Sequence, residues 1–162
     1  MEIKRRKRKM ADNFKERFSQ AVKETETVVY SYLPEETGHQ KTIFEAMNYS
    51  VKAGGKRLRP LLMREVYRLF GGNGPEIEPF MAAMEMIHTS SLIHDDLPCM
   101  DNDEYRRGKL TTWKAYGYDM AVLAGDALMI YAFETASKAF SMGADPAKVG
   151  RAIGILAEKT GI

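Results

Sequence analysis

Asp95, Asp96 and Asp101 stand in one short stretch, and Arg106 and Arg107 follow directly. Clustered carboxylates without thiolate ligands suit a hard, oxygen-preferring cation. Mg²⁺ usually binds through one or two carboxylates, with phosphate oxygens and waters in its other positions. Two arginines, each a planar fork of donors, fit a phosphate better than any neutral group. The chemistry predicted from these residues is a diphosphate held through magnesium. On charge pattern alone the same run also reads as a solvated loop. An EF-hand is a poor match, because the pattern begun at Asp101 has Tyr105 where Asp or Asn is wanted and Arg106 where the glycine belongs.

A second cationic stretch, Gly54-Gly55-Lys56-Arg57-Leu58-Arg59-Pro60, places two residues of minimal bulk and three cations before a predicted helix start. The helix dipole disfavours positive side chains there unless an anion shares the site. A bound phosphate and an ordinary basic turn both fit. A P-loop does not, because Arg57 stands where Ser or Thr should follow the lysine and no strand precedes the glycines.

A helix must deliver the first two aspartates. Ile77, Phe80, Met81, Met84, Ile87, Ser91 and Leu92 recur at three- and four-residue intervals, the spacing of one helical face, read here as core-facing. Asp95 continues that stripe, two turns beyond His88, so its carboxylate is predicted to point inward or into a cavity and to need a cation. On a helical wheel Asp96 lies about 100° from Asp95, and Asp101 falls far round the other side. Pro98 disfavours helix at Leu97, which lets the chain bend and bring Asp101 back. Three carboxylates are then expected to face one site.

The Asp95-Asp96-x4-Asp101 pattern with Arg106-Arg107-Gly108 resembles the first aspartate-rich motif of the trans-isoprenyl diphosphate synthases, the farnesyl and geranylgeranyl diphosphate synthase family. The 54–60 stretch resembles that family's Gly-Gly-Lys-x-x-Arg-Pro motif. The Leu-Ala-Gly-Asp-Ala run around Asp126 is also similar to the family's. The resemblance implies the N-terminal half of an all-α, isoprenoid synthase-type helical bundle. By the same match Asp95, Asp96 and Asp101 would hold Mg²⁺ and, with Arg106, act in catalysis. Lys56, Arg59, His88 and Arg107 would bind isopentenyl diphosphate, and Arg106 the allylic diphosphate: dimethylallyl, geranyl or farnesyl. The implied reaction is head-to-tail 1′–4 condensation with release of diphosphate. Family members with a bulky aromatic five residues before the first aspartate make short products. Here Ser90 and Ser91 are small, implying a C15 or C20 product.

The resemblance also says what the chain lacks. Family members run to roughly twice this span and carry a second aspartate-rich motif, and the last helix stops without a clear partner for its apolar face. The expectation is an N-terminal portion with little or no synthase activity alone. A non-catalytic partner subunit would be marked by a damaged aspartate motif, which is not found here. A terpene cyclase would have no need of the 54–60 site. The family's usual homodimer is expected.

Composition sets the frame. The 162 residues, 44% hydrophobic and 28% charged, can bury one core. Cys99 is the only cysteine, which excludes an internal disulfide and fits a reducing, cytoplasmic setting. There is no uninterrupted apolar run of transmembrane length. Residues 1–10 carry six Lys or Arg and one Glu, leaving residues 11–162 at −3 within a total of +2. Residues 1–12 are read as a disordered basic tail and 13–162 as the folded part. A small nucleic-acid binder is disfavoured, since no aromatics are interleaved with the basic run.

Helices are predicted over about 13–32, 40–52, 60–70, 76–96 and 118–142, with a last one from Asp145-Pro146. No strand alternation is found. Asp126 is expected to be a buried hydrogen-bonding group, and Trp113 and Tyr116 to be packing residues.

Overall fold

The computed structural model describes residues 2–161, with side chains from Asn13 onward. It is all-α apart from one small hairpin. In order come α1 (Glu2–Ser31), α2 (Lys41–Val51), α3 (Leu58–Leu69), α4 (Glu78–Asp95), β1 (Tyr105–Arg106), β2 (Lys109–Leu110), α5 (Thr112–Tyr116), α6 (Tyr118–Ser137) and α7 (Pro146–Thr160). α1 begins at Glu2 rather than near residue 13. Lys, Arg, Met and Ala are good helix formers, but they leave no apolar stripe for a periodicity reading to find. The side chains of the basic run lie outside the described residues.

α4 and α6 pack along one another as the centre of the fold. The α6 face turned to α4 is Ala121, Ala124, Gly125, Leu128, Ala132 and Ala136, all buried. Small residues at this spacing let the two backbones approach closely. Ala82, Ala83, Met86 and Ile93 of α4 complete the seam, and Val29, Met47 and Val51 close it from α1 and α2. Leu128→Ala would open a cavity there, at a cost of about 2–5 kcal/mol. α6 with the turn after it, Tyr118–Ser141, is long and apolar enough to span a membrane by length and composition. Its buried alanine face against α4 accounts for that composition.

Two readings change on packing. The stripe from Ile77 to Leu92 faces the core only in part: Met81 is fully buried, while Phe80, Met84 and Ile87 are half-buried against the central cluster and, with Ser91, also line an open groove. α4 is apolar nearly all round, so periodicity alone could not choose between its faces. The face of α7 also has a partial partner. Val149 is 3% exposed and Leu156 7%, and Leu156 joins the central cluster. Asp145 starts α7 by accepting from the Ala147 amide at 2.9 Å.

Candidate active site

α4 ends at Asp95, where the missing N–H of Pro98 and its restriction on Leu97 stop the helix. The chain then turns back over the helix end. The Met100 amide donates to the Leu97 carbonyl at 2.8 Å and the Asp101 amide to the Asp95 carbonyl at 2.8 Å, with Asn102 left-handed at φ 56°. Asp101 is thereby returned to the end of α4 beside Asp95. Asp96 goes elsewhere. It is 3% exposed and accepts from Arg106 Nε with both carboxylate oxygens, at 2.8 and 2.9 Å, and from Arg106 Nη2. This pairing holds the Arg106 guanidinium firmly charged, chiefly through the hydrogen bond.

The three-carboxylate cluster expected from the sequence is therefore not formed. Among the described residues no three His, Cys, Asp or Glu side chains converge on a metal-sized site. The donor chemistry still fits magnesium. Asp95 and Asp101 are hard oxygen donors at the negative end of an 18-residue helix. Two accessible carboxylates are what Mg²⁺ commonly takes from a protein.

The hairpin that presents the arginines was not legible as strands. β1 and β2 pair antiparallel, Tyr105 with Leu110 and Arg106 with Lys109, around Arg107 at φ 54° and Gly108 at φ 78°. Two successive left-handed residues make a tight hairpin turn. Its base is fastened by Trp113, expected only to pack, and by Thr111 and Tyr49. The Asp103 carbonyl accepts from Trp113 Nε1 at 2.8 Å and Thr111 Oγ1 at 2.7 Å, and Tyr49 donates to the Leu110 carbonyl at 2.8 Å.

Arg106 and Arg107 diverge from this turn, one to Asp96 and the other to a separate cavity of about 490 Å³. Lys56, Arg59, His88 and Arg107 line that cavity together. Four cations, counting Arg57, face one carboxylate, Glu85. Arg59 Nη1 donates to His88 Nε2 at 3.3 Å. Arginine cannot accept, so Nε2 is the unprotonated nitrogen of a neutral imidazole. Burial first, and then the Arg59 charge, lower the His88 pKa from its usual range. Arg107 is similarly disfavoured as a cation by burial and by Arg57. A bound anion would relieve both.

Glycine is required where the loop meets Arg107. A Cβ on Gly55, at φ +142°, would sit 2.6 Å from Arg107 Nη1. Arg57 differs from its basic neighbours: its side chain is fully buried and paired with Glu85 at 2.8 Å. Sequence position alone gave no sign of this.

Arg59 and His88 also border the apolar groove, a volume of about 1110 Å³ walled by α3, α4 and α7. Ser91 lines it. Ser90 does not: it is fully buried and donates its hydroxyl to the Ile87 carbonyl at 2.8 Å. Asp126, expected to be buried, has a side chain 65% exposed, 3.5 Å from His94 Nε2. Gly125 beside it is the buried residue, and a Cβ there would run into the His94 ring. His39 is exposed.

One all-α scaffold thus carries an aspartate-bearing helix end, a cation-lined cavity and an apolar groove. Residues 40–161 match the polyprenyl synthetase family profile, and the chain belongs to that family. It is 55% identical over 120 residues, 74% of this chain and 32% of the relative, to heterodimeric geranylgeranyl pyrophosphate synthase large subunit 1, chloroplastic, of Arabidopsis thaliana. It is 58% identical over 95 residues, 59% of this chain and 33% of the relative, to farnesyl diphosphate synthase of Micrococcus luteus. The solved FPP/GFPP synthase of Zymomonas mobilis superposes with a TM-score of 0.84 at 40% identity, covering 93% of this chain and 54% of that one. The chain thus spans about a third of the length of these two curated relatives.

Proposed function

We propose that this chain is the part of a trans-prenyltransferase that binds isopentenyl diphosphate and begins its 1′–4 condensation with an allylic diphosphate. The observation that carries the reading is the sharing of Arg59 and His88 between the cationic cavity and the apolar groove. An anionic head and a hydrocarbon tail joined in one molecule fill both. Lys56, Arg59, His88 and Arg107 hold the isopentenyl head. Asp95 and Asp101 hold Mg²⁺, which when bound neutralises charge on the departing diphosphate. Asp96 orients Arg106 toward the allylic diphosphate, dimethylallyl, geranyl or farnesyl, where a fixed cation favours the charge that develops as the C–O bond breaks. The groove keeps water from the carbocation.

Ser91 leaves the groove wide beside the aspartates, which supports a C15 or C20 product, C20 being favoured. Leu123 and Ile130, 53% and 70% exposed on the outer face of α6, support a homodimer, and the single cysteine supports a cytoplasmic setting. Isopentenyl diphosphate titrated into the protein tests the reading. Binding is expected, weakened about tenfold or more by Arg59→Ala, since a charge-assisted hydrogen bond contributes about 1.5–3 kcal/mol. Unchanged affinity would reject it.

A further inference from the structure

The loop that carries Lys56 and leads into Arg59 at the start of α3 is left-handed at three positions: Gly54 (φ 88°), Gly55 (φ 142°) and Arg57 (φ 49°). For a non-glycine residue such a conformation is unfavourable and persists only where the surroundings hold it. At Arg57 the hold is its own side chain. The guanidinium is fully buried, with Nε donating to Glu26 at 3.2 Å, Nη1 to Glu85 at 2.8 Å, and Nη2 to Tyr30 Oη at 3.1 Å and the Val51 carbonyl at 2.8 Å. Four of its five N–H groups are used within the protein. The partners belong to α1, α4 and the last residue of α2, so one side chain ties the loop to three helices.

Glu85 lies one helical turn before His88 on α4. The Arg57–Glu85 bond therefore sets the loop's position against His88, across the mouth of the anion cavity. We infer that Arg57 is a positioning residue, which binds no substrate itself but fixes Lys56 and Arg59 opposite His88 through its buried bond to Glu85. The inference rests on the cavity being the diphosphate site.

The variant that isolates it replaces both partners, Arg57→Met with Glu85→Met, because exchanging a buried ion pair for apolar residues of similar size is often close to neutral for stability, whereas removing one partner leaves an unpaired buried charge. Inorganic diphosphate is titrated calorimetrically into the native protein, the Met–Met variant, Lys56→Ala and the combination of all three, with melting followed by circular dichroism.

The expected result is a cooperative melt for the Met–Met variant with diphosphate affinity reduced about tenfold. Lys56→Ala should cost about tenfold in the native background but under about twofold in the Met–Met background, because a lysine that is no longer held in place has little to lose. A role in stability alone would not produce that coupling. Met–Met affinity within about twofold of native, or an equal Lys56→Ala cost in both backgrounds, would overturn the inference. If the native protein did not bind diphosphate, the cavity reading would fall and the inference with it. Should the Met–Met variant not melt cooperatively, Arg57→Lys takes its place: it keeps the charge but not the planar fork. About fivefold weaker binding supports positioning, and native affinity overturns it.

Discussion

Arg106 grips both carboxylate oxygens of Asp96, a residue only 3% exposed. Two adjacent aspartates therefore stand in different surroundings: Asp96 is the inner anchor of an arginine, while Asp95 is half-buried and Asp101, whose amide bonds to the Asp95 carbonyl, is exposed. Mn²⁺ binding followed by electron paramagnetic resonance separates the roles. Asp95→Ala and Asp101→Ala should each weaken the ion about tenfold or more, while Asp96→Asn should change it by less than about threefold, since only the first two supply accessible oxygens. Equal losses from all three would restore the three-ligand arrangement.

Gly55→Ala should damage the anion cavity without touching any charge. The added methyl meets Arg107 Nη1 and also meets an unfavourable left-handed backbone. The expected cost is about 1–2 kcal/mol of stability, with diphosphate affinity down about tenfold as Arg107 is pushed from the cavity. An alanine variant with native affinity would show that Arg107 does not need this close approach.

His88 gives the site a pH signature. Its pKa is lowered by burial and by Arg59, so in the free protein it takes up a proton only below its usual range near 6.5. A diphosphate beside it raises that pKa again. Binding then takes up a proton, and affinity gains as pH falls from about 7.5 toward 5.5 beyond what the ligand's own titration accounts for. Calorimetry in buffers of different ionisation heat, with His88→Gln as reference, reads the uptake directly. Equal proton uptake by the two proteins would remove His88 from the site.

Ser90 and Ser91 should part company when enlarged. Ser91→Phe fills open groove, so the protein should stay folded and lose affinity for geranylgeranyl diphosphate more than for isopentenyl diphosphate. Ser90 is fully buried on α4, and Phe there overpacks the interior at about 1–3 kcal/mol or more. A Ser91→Phe protein that binds both ligands as before would mean the hydrocarbon runs elsewhere.

Residue chemistry and helical spacing made much of this legible. The aspartates, the paired arginines and the Gly-Gly-Lys stretch announced cation and phosphate binding, and the long helices followed from their three- and four-residue intervals. What stayed hidden depended on packing. The hairpin consists of two-residue strands, too short to alternate, and its turn puts an arginine where Asn or Gly would have signalled it. α5 is a five-residue helix, too short to show a period. The wheel placed Asp95 and Asp96 about 100° apart but could not say which of two apolar faces of α4 met the core. The stripe put Phe80, Met84 and Ile87 wholly inside, where they sit half-buried between core and groove, and spacing could not show that Asp96 is taken up by Arg106. Arg57 and Arg59 look alike in sequence, and only packing distinguishes them, burying Arg57 against Glu85, Glu26, Tyr30 and the Val51 carbonyl.

The central claim is that one continuous site takes a charged head and a hydrocarbon tail. Its most direct test compares isopentenyl diphosphate with inorganic diphosphate by calorimetry, in the native protein and in Arg59→Ala. The account predicts at least about tenfold tighter binding of the isopentenyl ester, since each buried methylene contributes about 0.8 kcal/mol, and a large loss for both ligands in the variant. Equal affinity of the two ligands, or binding indifferent to Arg59, would contradict it.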